Sequence, residues 1–162
     1  MQELSWQNAE GLTIFGAHWP VEHPRAVIAL VHGQGEHIAR YDHLARWFNA
    51  HRIAVLGFDH QGHGRSAGKR GHARHIDAYL DDIGQMLDQV KQTYPGVPVF
   101  LYGHSMGGNL TLNYVLRRQP QGLAGHIVTG PFIRLAFEAP MAKMVAAKLL
   151  RRFMPTLTLP TG

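Results

Sequence analysis

The chain has 162 residues, of which 45% are hydrophobic and 17% charged. That is the composition of one folded domain with a core and excludes a disordered segment. There is no cysteine, which excludes a disulfide framework and any thiolate metal site. The formal charge of +5 raises the question of nucleic acid, but five cations (Arg134, Lys143, Lys148, Arg151, Arg152) and one acid (Glu138) fall within 134–152. The excess therefore sits in a basic tail, the pattern of a solvated helix face, and no nucleic-acid partner is expected.

In chain order, residues 1–10 carry acids and no apolar stretch, so neither a signal peptide nor an anchor is read there. No window approaches the run of about 18 apolar residues that spans a bilayer, and a cytoplasmic protein is expected. Residues 4–8 and 12–19 read as a hairpin around Ala9-Glu10-Gly11. Ala26-Val27-Ile28-Ala29-Leu30-Val31 is a continuous apolar run, as in a strand buried on both faces. Leu44, Trp47 and Phe48 recur at helical spacing, and 53–58 is a second buried strand, followed by a polar Gly-rich loop at 59–66. Ile76, Leu80, Ile83, Leu87, Val90 and Tyr94 step by three or four along an amphipathic helix that Pro95-Gly96 stops. Residues 97–102 predict a third buried strand, 110–116 lie in a helix, and 123–129 are a fourth short strand. Strands and helices alternating in this way imply a mostly parallel sheet with helices on both faces.

Gly103-His104-Ser105-Met106-Gly107-Gly108 has the form G-x-S-x-G between a buried strand and a helical run. This is the setting of a nucleophile elbow, where small residues two before and two after the serine let a strained backbone pass its neighbours. The turn lifts the Ser105 hydroxyl above the sheet and aims a helix N-terminus at it. A second match, Gly64-Arg65-Ser66-Ala67-Gly68, sits several residues past its strand and precedes Lys69-Arg70-Gly71, so Ser66 reads as loop. His32-Gly33-Gln34-Gly35-Glu36-His37 follows directly on the first buried strand. In the fold that carries such an elbow, that loop supplies one oxyanion-hole N–H and the residue after the nucleophile the other, here Gln34 and Met106.

Other chemistry fails on spacing. Ile38 stands where a dinucleotide fingerprint needs glycine, and Arg70 where a phosphate-binding loop needs Ser or Thr. Eight of the twelve histidines fall within 32–75, with Asp59, His60 and His63 the best cluster. They form no helical His-x-x-x-His pair, so the histidines read as surface and loop-stabilising groups, and neither metal nor cofactor is expected.

The segments 32–37 with Arg40-Tyr41, 59–66 and 103–108 together resemble the monoacylglycerol lipase and lysophospholipase-like branch of the α/β hydrolases, over about residues 12–130. The resemblance implies an α/β-hydrolase fold and hydrolysis of carboxylic esters, typically monoacylglycerols or lysophospholipids, beneath a mobile cap. It makes Ser105 the nucleophile and gives Gln34 and Met106 the oxyanion hole. His32 and Gly33 belong to the supporting loop, which Glu36, His37 and Arg40 would brace, while residues 59–66 shape the floor near the site. The core is expected over 1–138 and the start of the cap over 139–162.

The triad of this fold runs Ser, then Asp or Glu, then His. After Ser105 the chain holds one histidine, His126, one acid, Glu138, in the reverse order, and no aspartate. The acid and base are thus absent, and a fold truncated before its last strands, weak or inactive alone, is expected. Either a completing polypeptide or a homodimer through strand 123–129 would follow; the alternative is a non-catalytic remnant that binds lipid or a partner. Met141, Val145, Leu149 and Phe153 step by four between Pro140 and Pro155, which predicts an amphipathic helix over 141–153 suited to a lipid surface.

Overall fold

The computed structural model describes residues 1–134, 141 and 144. The expected core/cap boundary at 138–139, Glu138, and the expected helix over 141–153 apart from its positions 141 and 144 lie outside the described residues.

Strands β1 (Gln2–Gln7) and β2 (Thr13–Trp19) form the expected hairpin. Its turn is tied by Asn8, whose Oδ1 accepts from the N–H of Glu10 at 3.0 Å and of Leu12 at 2.9 Å. Strands β3 (Ala26–Val31), β4 (Ile53–Phe58), β5 (Val99–His104) and β6 (Leu123–Thr129) complete one sheet in the order β1-β2-β4-β3-β5-β6. The hairpin and the β2–β4 pair are antiparallel, and β4, β3, β5 and β6 run parallel. β3 is buried at every residue because it has neighbours on both edges and helices on both faces. β5 starts two residues later than its apolar run suggests: Pro98 has no N–H for a ladder, and Val97 N–H closes a turn onto Tyr94 O at 3.3 Å. It then runs on through His104, so the serine follows the strand directly.

Helix α1 (Asp42–Ala50) covers one face, where Ala45 and the turn residues Ile38 and Tyr41 pack on Ile28, Leu30 and Val55. Leu44 and Phe48 join that core, but Trp47 turns outward at 57% exposure. Helices α2 (Ile76–Thr93) and α3 (Met106–Arg118) cover the other face, with Leu80, Ile83, Leu87, Val90 and Leu110 against Val27, Ala29, Val31 and Leu101. Among the described residues, no helix is long and apolar enough to cross a membrane.

Asp82 of α2 is a buried acid with amide partners: its carboxylate accepts from Asn8 Nδ2 at 2.9 Å and Gln61 Nε2 at 3.2 Å. Burial pushes its pKa up to about 6, against the pull of those two bonds. Because the folded value lies above that of an unfolded aspartate, about 3.9, the contribution to stability is full below pH 4 and is lost as pH rises through 6. Asp82→Asn, with the Gln61 amide turned, is expected to flatten the loss of stability between pH 5 and 7.5. Urea midpoints at the two pH values check this, and an unchanged slope in the variant would refute it.

Candidate active site

The sheet order creates a switch point. From β3 the chain leaves through α1 to β4 on one side, and from β5 it leaves through α3 to β6 on the other. Neighbouring parallel strands whose connections depart in opposite directions open a crevice at their carboxyl ends, the usual ligand position in such sheets. Residues 32–37 and Ser105 both stand there. In the β3–β5 register Val31 pairs with Gly103, and two residues on, a Cβ built on Gly33 would lie 3.1 Å from the Ser105 Cβ.

Ser105 has φ 54° and ψ −118°, a region that costs an L-residue about 1–3 kcal/mol. Three backbone bonds hold it there. Its N–H donates to Thr129 O at 3.0 Å, and its carbonyl accepts from Asn109 N–H and Phe132 N–H, both at 3.1 Å. The turn is possible only because its neighbours are small. A Cβ on Gly107 would collide with the carbonyl oxygens of Val31 and His32, and one on Gly103 with Gly107 O. Met106 opens α3, so its N–H is one of those a helix leaves unpaired, and the helix dipole favours negative charge at this spot.

The loop after β3 is pinned from several sides. Glu36 Oε2 accepts from Gly33 N–H at 2.9 Å and from the Tyr41 hydroxyl at 2.7 Å, with Arg40 Nη1 at 3.5 Å from its other oxygen. Burial opposes ionisation of Glu36, but these donors outweigh it and hold the carboxyl below its ordinary value. Gln34 and His37 are exposed; His37 joins the brace through its backbone, its carbonyl accepting from Arg40 N–H at 3.1 Å. Asp59 ties this loop to the next, its carboxylate accepting from Ile38 N–H at 2.6 Å and Arg65 N–H at 2.7 Å. Ser66, buried in its loop, accepts from Phe15 N–H and donates to Asp59 O.

Four histidines correct the surface reading. His18, His32, His60 and His63 are all buried. His18 Nε2 meets the Tyr94 hydroxyl at 2.6 Å, and the His32 and His60 rings stand edge-on at 4.3 Å. Three of the four ring nitrogens of His32 and His60 serve backbone groups: His32 Nδ1 contacts Gly33 O at 2.7 Å, His32 Nε2 accepts His60 N–H at 3.0 Å, and His60 Nε2 donates to His32 O at 3.0 Å, while His60 Nδ1 is buried without a partner among the described residues. Burial depresses both rings, His32 to about 4 despite Asp59 at 4.0 Å. Imidazole is apolar enough to pack when each N–H finds a carbonyl, which loop composition does not reveal. Among the described residues, no group of three or more His, Cys, Asp or Glu could hold a metal ion.

His104, next to the serine, turns onto β6, with Nδ1 3.0 Å from Thr129 Oγ1, which also meets the Tyr102 hydroxyl. His126 lies exposed on β6. A groove between Tyr94, Pro98 and Leu123 sits at the opposite end of β5, about 20 Å away by strand rise.

The family model Hydrolase_4, serine aminopeptidase, S33, matches residues 22–162. The chain belongs to this family. The monoglyceride lipase of Mus musculus is 38% identical over 154 residues, 94% of this chain and 50% of that protein. The monoacylglycerol lipase structure from Paleococcus ferrophilus has a TM-score of 0.76 at 32% identity, covering 92% of this chain and 55% of that one. The Penicillium α/β hydrolase GrgF shares the fold, with a TM-score of 0.76 at 22% identity and coverage of 93% and 52%. This Hydrolase_4 chain thus has the α/β-hydrolase fold and spans about half the length of the relatives it matches.

Proposed function

We propose that Ser105 is the acyl-accepting nucleophile of a carboxylic ester hydrolase acting on monoacylglycerols or lysophospholipids, with the N–H groups of Gln34 and Met106 as its oxyanion hole. One observation carries the reading: Ser105 is held at positive φ between β5 and α3, against Gly33 of the β3 loop, at the switch point of the sheet. The likeness to monoglyceride and monoacylglycerol lipases supports a lipid ester as substrate.

In this reaction Ser105 Oγ attacks the ester carbonyl while a base takes its proton. The two N–H groups bind the oxyanion; the alcohol leaves with that proton, and water repeats the sequence on the acyl-serine. The base and its acid come from outside residues 1–162. His104 turns its Nδ1 to Thr129, both His32 nitrogens face backbone groups, and His126 and Glu138 stand in the reverse of the fold's order. The outer edge of β6, which pairs with no described strand besides β5, is where the polypeptide carrying them joins the sheet.

Turnover of p-nitrophenyl acetate by the 162-residue chain and by the protein from its native source, whose mass is read alongside, tests this. The 162-residue chain should lag by several orders of magnitude, retaining only the contribution of the oxyanion hole and binding. Lipase-like rates from residues 1–162 alone, lost in Ser105→Ala, would contradict the external base. A native protein without ester hydrolysis would favour a non-catalytic lipid-binding role.

A further inference from the structure

We infer that His32 is a positioning residue for the oxyanion hole: locked in one tautomer by His60, it sets the direction of the Gln34 N–H. The inference rests on the assignment of Gln34 as an oxyanion donor. The hydrogen-bond partners carry it. His60 N–H can only donate, so the His32 Nε2 that faces it at 3.0 Å is the bare, accepting nitrogen. The ring proton of neutral His32 is therefore on Nδ1, where it donates to Gly33 O at 2.7 Å. His60 closes the clamp by donating its own Nε2–H to His32 O at 3.0 Å.

Gly33 O belongs to the same peptide unit as Gln34 N–H. Among the described residues there is no cis peptide, and in a planar trans peptide the carbonyl and the following N–H point in opposite directions. With the oxygen drawn onto the fully buried His32 ring, the N–H is directed outward to the crevice, where Gln34 is exposed. The peptide before it is fixed too, since Gly33 N–H is held by Glu36 at 2.9 Å. No described residue accepts the Gln34 N–H, which leaves it to a substrate oxygen. Burial keeps His32 neutral across the physiological range, so the tautomer persists.

Two substitutions separate the halves of the clamp. The Asn amide nitrogen takes the place of Nδ1 and keeps the bond to Gly33 O; the Gln side chain reaches the place of Nε2 and keeps the bond to His60 N–H. In the native protein, His32→Gln is expected to lower kcat for p-nitrophenyl butyrate by about 10- to 100-fold with KM nearly unchanged, less than loss of a whole oxyanion donor. His32→Asn should recover most of that loss. Equal losses in two variants that melt alike, or a His32→Gln kcat within twofold of wild type, would overturn the inference. Imidazole 15N spectra of the 162-residue chain give a readout besides activity. A protonated Nδ1 on His32, and a Gln34 amide resonance displaced in His32→Gln but not in His32→Asn, are expected. A proton on Nε2, or an imidazolium at pH 7, would overturn the inference whether or not either variant folds. Native protein without Ser105-dependent hydrolysis would instead remove the nucleophile assignment and leave the spectra to decide on His32.

Discussion

Ser105→Ala in the native protein is expected to lower kcat for monoacylglycerol hydrolysis by about 10⁴- to 10⁶-fold, the range for loss of a serine nucleophile that acts as a unit with its base. The fold should be unaffected. The bonds that hold residue 105 run through its backbone, to Thr129, Asn109 and Phe132, and alanine keeps all three. Ser105→Gly separates chemistry from strain: glycine occupies φ 54° without steric cost, so this variant should be equally inactive yet melt above wild type. Steady-state kinetics with thermal melts check both. An Ala variant that keeps more than a hundredth of the activity would show that Ser105 is not the nucleophile.

Gly107→Ala is expected to be strongly destabilising. The added Cβ would collide with the carbonyl oxygens of Val31 and His32. Those carbonyls lie at the end of β3, which is paired on both edges and buried throughout, so neither partner has room to withdraw. Overpacking at such a site costs about 3 kcal/mol, or roughly 6–12 °C in Tm for a chain of this size. Gly84→Ala in α2 is the control. Its Cβ would meet only the Tyr114 side chain, Oη at 3.5 Å and Cε2 at 3.9 Å, and an alanine in a helix interior gains about 0.5–1 kcal/mol over glycine. Melting curves should therefore move in opposite directions. A Gly107→Ala variant as stable as wild type would mean that α3 does not approach β3 as closely as described.

The elbow was legible because its signal is local. An apolar run ending at Tyr102, glycines at 103 and 107 and a helical run after Ser105 are contiguous in sequence, and each strand or helix around them has its own period. What places Gly33 against Ser105 is not local. It depends on β3 and β5 becoming neighbours, which nothing in the 67 residues between them announces. The same holds for the clamp at the site. His32 and His60 read as loop histidines because nothing in an imidazole's neighbours along the chain tells whether a distant carbonyl will take its proton; burial became intelligible only when each ring was seen to serve the other's backbone. Thr129 escaped attention for a like reason, since its carbonyl and hydroxyl act on Ser105 and His104 across the β5–β6 ladder. Asp82 was hidden as a polar position in an amphipathic helix, although its partners Asn8 and Gln61 sit on two separate loops.

The most direct measurement is to treat the native protein with an alkyl fluorophosphonate and to locate the label by peptide mass spectrometry. Expected is one phosphonyl group, on Ser105, formed at a rate that parallels the loss of ester hydrolysis and absent from Ser105→Ala. Loss of hydrolysis with the label on Ser66 or another residue, or hydrolysis that persists after Ser105 is fully labelled, would contradict the assignment of Ser105 as the nucleophile.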